Sequence, residues 1–145
     1  MRTWLATWQL WAILSAVSAA ATAIFAKVGV ADINADFATF LRVIVIVAVT
    51  AAIITGLGEW QHLDTVSGRT YLFLALSGLA TGASWLCYFR ALKLGEAAQV
   101  APIDKLSVVL VAVFGSAFLG ERLSQAGWAG IAMIAAGSAL VAWKG

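Results

Sequence analysis

The chain has 145 residues, 63% of them hydrophobic and only 11% charged, with seven Trp, one Pro, one Cys and a formal net charge of +2; its mean hydropathy is +0.96. Soluble domains carry about 25% charged residues, so the composition is that of an integral membrane protein, short enough for one domain. The basic residues are scattered at the ends of apolar runs, which excludes nucleic acid as a partner, and the lone Cys87 excludes an internal disulfide.

From the start, residues 3–26 hold no charge, and Trp4, Trp8 and Trp11 gather at one end as an interfacial aromatic belt does. A cleaved signal peptide would also place Arg2 before an apolar run, but this run is longer than an h-region and rich in Trp, so a retained span over 4–26 closed by Lys27 is expected. Asp32, Asn34 and Asp36 follow, all good N-caps, and put negative charge at the positive end of the next helix. That second span is expected over 37–57. Its middle is β-branched, yet a lone strand cannot satisfy its backbone in lipid, so helix prevails. Arg42, in its second turn, either snorkels to the interface or faces an internal cavity.

Residues 58–69 form the longest polar stretch and read as an aqueous loop, where His62 has no second ligand at metal spacing. A third span is expected over 70–90, with Gly78 and Gly82 at a GxxxG spacing that predicts close approach of another helix. Gly95 stops it, and a fourth span follows over 97–120. Pro102 has no N–H and crowds the carbonyl of Ala98, which predicts a kink there and a freed carbonyl at membrane depth. Asp104 and Lys105 lie roughly a third of the way into the same span, where ionisable groups are costly and point to function. Adjacent residues diverge by about 100° on a helix, so these two need not pair. Arg42, Arg90 or a second subunit are the expected partners of Asp104. After the turn Gly120-Glu121-Arg122, a fifth uncharged span is expected over 123–143, read as packing surface.

The fold class is therefore all-α and polytopic. Five spans place Arg2, Arg69 and Arg122 on one side and Lys27, Arg90, Lys93 and Lys144 on the other. This bias weakly favours a cytoplasmic C-terminus and is small enough for insertion both ways.

The run YFRALKLGEAAQVAPIDKLSVVLVAVFGSAFLGERLS, followed by GWAGIAMIAAGSALV, resembles the EamA-type repeat of the drug/metabolite transporter superfamily, most closely over residues 85–141. The resemblance implies a five-helix unit that is one half of a ten-helix carrier built from two inverted repeats around a central substrate cavity. It matches Tyr88, Arg90, Pro102, Glu121 and Arg122 to positions of the repeat, and Glu121 and Arg122 are read as holding a turn. At Asp104-Lys105 the chain departs from the family pattern, so those two are read on physical grounds alone. One repeat needs a second, and the ambivalent charge bias fits an antiparallel homodimer; a paralogous half is the other option.

The expected function is secondary transport of a small metabolite or amphipathic solute by alternating access across the cell membrane. Trp85, Tyr88 and the kinked fourth helix at Pro102 would line the cavity, Asp104 and Lys105 would bind substrate or a coupling proton, and Arg42 and Arg90 join them as candidates. No nucleophile-base pair, phosphate loop or metal cluster is visible, so neither an enzyme nor a cofactor is expected. The competing readings are a non-transporting membrane subunit and a small-multidrug-resistance-like exporter. The latter has four helices and an acid in the first, where this chain has none.

Overall fold

The computed structural model describes residues 7–144, and among them every regular element is helical. Arg2, Trp4 and the start of the first expected span lie outside the described residues. In chain order the elements are α1 (Trp8–Gly29), α2 (Ala35–Leu57), a 3-10 turn (Leu63–Thr65), α3 (Gly68–Leu94), α4 (Ala97–Asp104), α5 (Ser107–Phe118) and α6 (Gln125–Lys144). Five helical segments are long and apolar enough to cross a membrane, with α4 and α5 together forming the fourth. Their large side chains stand outward: Phe25 is 75% exposed, Leu79 71% and Phe118 80%. Water would not tolerate so much bare hydrocarbon, whereas lipid is its matching solvent.

The described residues fall into two compact units, one running from Ala26 to Lys93 and the other made of the chain up to Phe25 and from Leu94 onward. In the first, the buried side chains Ala26, Val30, Ala35, Ala38, Thr39, Phe89 and Leu92 come from the end of α1, the start of α2 and the end of α3. These helix ends are tied by polar contacts. Lys27 Nζ donates to the Leu92 carbonyl at 2.9 Å, and Lys93 Nζ donates to the Ile33 carbonyl. In the second unit, α4 and α5 both pack on α6, with Ala112, Gly115 and Ser138 buried.

Local chemistry accounts for the ends. Asn34 Oδ1 accepts from the N–H groups of Asp36 and Phe37 at 2.8 and 3.2 Å, so α2 begins at Ala35 rather than 37. Asn34→Ala should therefore cost about 1 kcal/mol, seen as faster amide exchange of Asp36 and Phe37 in detergent. Ser67 and Ser124 do the same for α3 and α6, accepting from Thr70 N and Gly127 N, each at 3.1 Å. Gly58, at φ 67°, ends α2 in the left-handed conformation that glycine adopts without strain. One expected stop is overrun: instead of closing the first span, Lys27 lies inside α1 and reaches across to α3. The third span runs on past 90 to Leu94 and ends before Gly95, the stop expected for it.

The close approach expected at Gly78 and Gly82 is not made among the described residues, since a Cβ added at either glycine would meet nothing within 4 Å. The spacing creates a groove; it does not supply the helix that fills it. Span hydroxyls turn back on their own helices: Ser18 to the Leu14 carbonyl, Thr39 to Ala35, Thr50 to Ile46, Thr55 to Ala51 and Thr81 to Ser77, all four residues back at 2.7–2.9 Å.

Candidate functional site

The predicted site residues form two groups, one in each unit. Pro102, Asp104 and Lys105 belong to the broken fourth span. The α-helix runs through Pro102 to Asp104, and the break comes at Lys105 and Leu106 instead of at the proline. One missing N–H does not end a helix whose other backbone groups must bond internally. Beyond it the ladder tightens: Leu106 N–H goes to Ile103 O at 2.9 Å, Val108 N–H to Lys105 O at 3.0 Å and Val109 N–H to Leu106 O at 3.0 Å, each three residues back. Leu106 thus passes over the carbonyl of Pro102, and Val108 that of Asp104.

The two charges sit at this joint. Lys105 Nζ lies 3.3 Å from Asp104 Oδ2, so the residues pair with one another despite their angular separation, because the long lysine stem bends back where the regular helix has ended. Both remain accessible, Lys105 with 55% and Asp104 with 36% of its side chain exposed. Seven or eight residues from the start of α4 at 1.5 Å each put them roughly 10–12 Å into a ~30 Å hydrocarbon layer. In water such an accessible pair contributes about 0–1 kcal/mol. In lipid each group costs about 2.5–3.5 kcal/mol, so the penalty outweighs the attraction and the pair calls for a polar covering.

Further along, Glu121 N–H donates to Gly115 O at 3.1 Å. Its carboxylate rests against the bare Cα of Gly115, where an added Cβ would lie 2.7 Å from Oε2. The Gly-Glu-Arg turn is folded onto the end of α5 in this way.

Arg42, Trp85, Tyr88 and Arg90 lie in the other unit. Arg90 Nε and Nη2 donate to Asp36 Oδ1 and Oδ2 at 2.9 and 2.8 Å, a two-pronged fork that joins the last turns of α3 to the first turn of α2. Arg90 is therefore engaged by Asp36 rather than by Asp104. Both charges also suit the dipoles of the helix ends that bear them. Sequence reasoning read Asp36 as a cap and missed this pairing. The signal was present, because consecutive spans run in opposite directions and so bring the start of one beside the end of the next.

Arg42 lies against α3. Its guanidinium carbon lies 4.3 Å from the centroid of the Trp85 ring and 5.5 Å from that of Phe89. Trp85 and Phe89 are one turn apart on α3 and form a continuous aromatic surface beneath it. Arg42, Trp85 and Tyr88 are all half-buried. Two such contacts at about 0.5–1 kcal/mol each offset only part of the about 2.5–3.5 kcal/mol that an arginine costs at depth. Phe89 escaped the sequence reading, although its i+4 relation to Trp85 was there to be seen.

The chain matches the model of the EamA-like transporter family over residues 6–143. A protein of Sinorhizobium sp., named "Uncharacterized transporter in cobO 3'region", is 65% identical over 136 residues, which cover 94% of this chain and 96% of that protein. No solved structure matches the chain.

Proposed function

Since the chain belongs to the EamA-like transporter family, we propose that it is a secondary transporter that moves a small polar or amphipathic solute across the cell membrane by alternating access, working as a pair of chains. The observation that carries this reading is the joint at Lys105 and Leu106 in the fourth span, with an accessible ion pair beside it. Irregular backbone at membrane depth is tolerated where it lines a cavity or is buried in protein, and carriers place their binding sites at such breaks. Asp104 and Lys105 are the groups on this joint that would hold a solute or a coupling proton, with Pro102 shaping the turn before them.

Pairing is supported by the cost of leaving those charges in lipid. An antiparallel arrangement suits the near balance of basic residues, three at one end and four at the other. The purified chain in proteoliposomes, loaded with a pH dye and offered a panel of organic acids, amino acids and amines, should give solute-dependent flux above empty vesicles. Folded, paired protein without flux for any of them would return the reading to a non-transporting membrane subunit.

A further inference from the structure

We infer that Arg42, laid on Trp85 with Phe89 beside it, is the recognition point for an oxyanion, and that the transported solute is a small organic anion bearing a carboxylate or phosphate head. The inference rests on the transport reading above and adds the class of solute.

The guanidinium carbon lies 4.3 Å from the Trp85 ring centroid and 5.5 Å from that of Phe89, and Tyr88 is its electrostatic neighbour. Ring contacts leave in-plane hydrogen-bonding capacity to a group that carries five N–H donors in a fixed fork. Among the described residues Arg42 has no carboxylate within ion-pair distance, and the ion pairs present are Arg90 with Asp36 and Lys105 with Asp104. Asp36, the acid on α2, is paired with the Arg90 fork, each of its oxygens accepting one bond from it. The other cations at this end of the unit are turned to backbone carbonyls, Lys27 to Leu92 in the last turn of α3 and Lys93 to Ile33 in the connection before α2.

Arg42 thus differs from its neighbours: it is seated against aromatic rings, while among the described residues no acid takes its N–H groups. It lies seven residues into α2, roughly 10 Å along the axis. At that depth such a fork is matched by an acceptor with two coplanar oxygens. A solute with an apolar body behind such a head would suit the surrounding Trp85, Tyr88 and Phe89. A snorkelling arginine would extend toward water, leaving the rings bare.

The test is binding to delipidated protein in uncharged detergent, measured by melting temperature and by titration with phenylacetate and phenylphosphonate. Benzyl alcohol and benzylamine serve as neutral and cationic controls. The two oxyanions should bind and the controls should not. Arg42→Gln should abolish the binding. Arg42→Lys, which keeps the charge and replaces the fork with a point donor, should weaken it about tenfold or more and change the ratio of the two oxyanion affinities. A residue that merely braces α2 against α3 would leave that ratio unchanged. If Arg42→Gln does not fold, Arg42→Lys decides.

Oxyanion binding that is equal in wild type and Arg42→Lys overturns the inference, as does folded wild type that binds neither probe. An Arg42-dependent response to added phosphatidylglycerol alone also overturns it, by assigning the fork to a lipid headgroup. Because no flux is measured, the two readings fail separately. Flux of other solutes without oxyanion binding removes only the anion class, and Arg42-dependent binding without flux removes only transport.

Discussion

Asp104→Asn is expected to abolish solute-driven proton movement in proteoliposomes while leaving the yield of folded protein unchanged. The carboxylate sits beside the helix break, at the one described place in the fourth span where a charge and loosened backbone coincide. A group that exchanges a proton or holds a solute there cannot be replaced by an amide that does neither. The fold of the single chain should survive, since Lys105 keeps 55% of its side chain exposed and is not sealed in when its partner is neutralised. If the pair is instead a buried brace between two chains, removing one partner costs about 3–5 kcal/mol, and folded or paired protein is lost. Asp104→Asn combined with Lys105→Gln separates these outcomes: it restores assembly if the pair is a brace, and stays folded but inactive if Asp104 is a working group. A stable, fully active Asp104→Asn eliminates both roles.

Native mass measurement in mild detergent should find two chains of 15.2 kDa together. Asp104 and Lys105 supply the drive, at about 2.5–3.5 kcal/mol for each ionisable group withdrawn from lipid. Even if their mutual attraction recovers a third of that sum, about 4 kcal/mol remains, roughly a thousandfold in the association constant. Asp104→Leu with Lys105→Leu removes the penalty and should shift the equilibrium toward single chains by that order. A wild-type monomer that is stable and transports solute in vesicles would refute pairing, whatever the double variant does.

The five spans were legible because an apolar run of about 20 residues with two charges at most has few other uses. Their ends were less so. Asn34 starts α2 two residues early through a side-chain bond, and Lys27 and Lys93 sit within helices they were expected to follow, because lysine at a helix end takes carbonyls as readily as it stops a span. Pro102 marked the helix that breaks, but not where: the place was set by the choice of three-residue over four-residue bonds around Leu106, which no residue type announces. For the candidate site, the importance of Asp104 and Lys105 could be read from charge at depth, while their pairing could not, since the regular-helix angle no longer applies at a helix end. The seat of Arg42 on Trp85 was hidden for another reason. It depends on how α2 is rotated about its axis relative to α3, and an apolar pattern that is greasy all round carries little record of rotation.

The polar ties of the unit from Ala26 to Lys93 sit at its two ends, those of Lys27, Arg90 and Lys93 where α2 begins and α3 ends and those of Trp60 and Tyr71 around the connecting turn, while Thr39, Thr50, Thr55 and Thr81 return their hydroxyls to their own helices. Between those ends, apart from Arg42 on Trp85, the two shafts offer one another little beyond hydrocarbon, and sliding hydrocarbon over hydrocarbon or over a lipid tail exchanges one weak contact for another of equal strength. The pair is therefore held at its ends and greased between them. Sliding one shaft along the other severs no hydrogen bond among these hydroxyls, so resistance to that motion comes from the Arg90–Asp36 fork at one end, the Tyr71 tie at the other and Arg42 on Trp85.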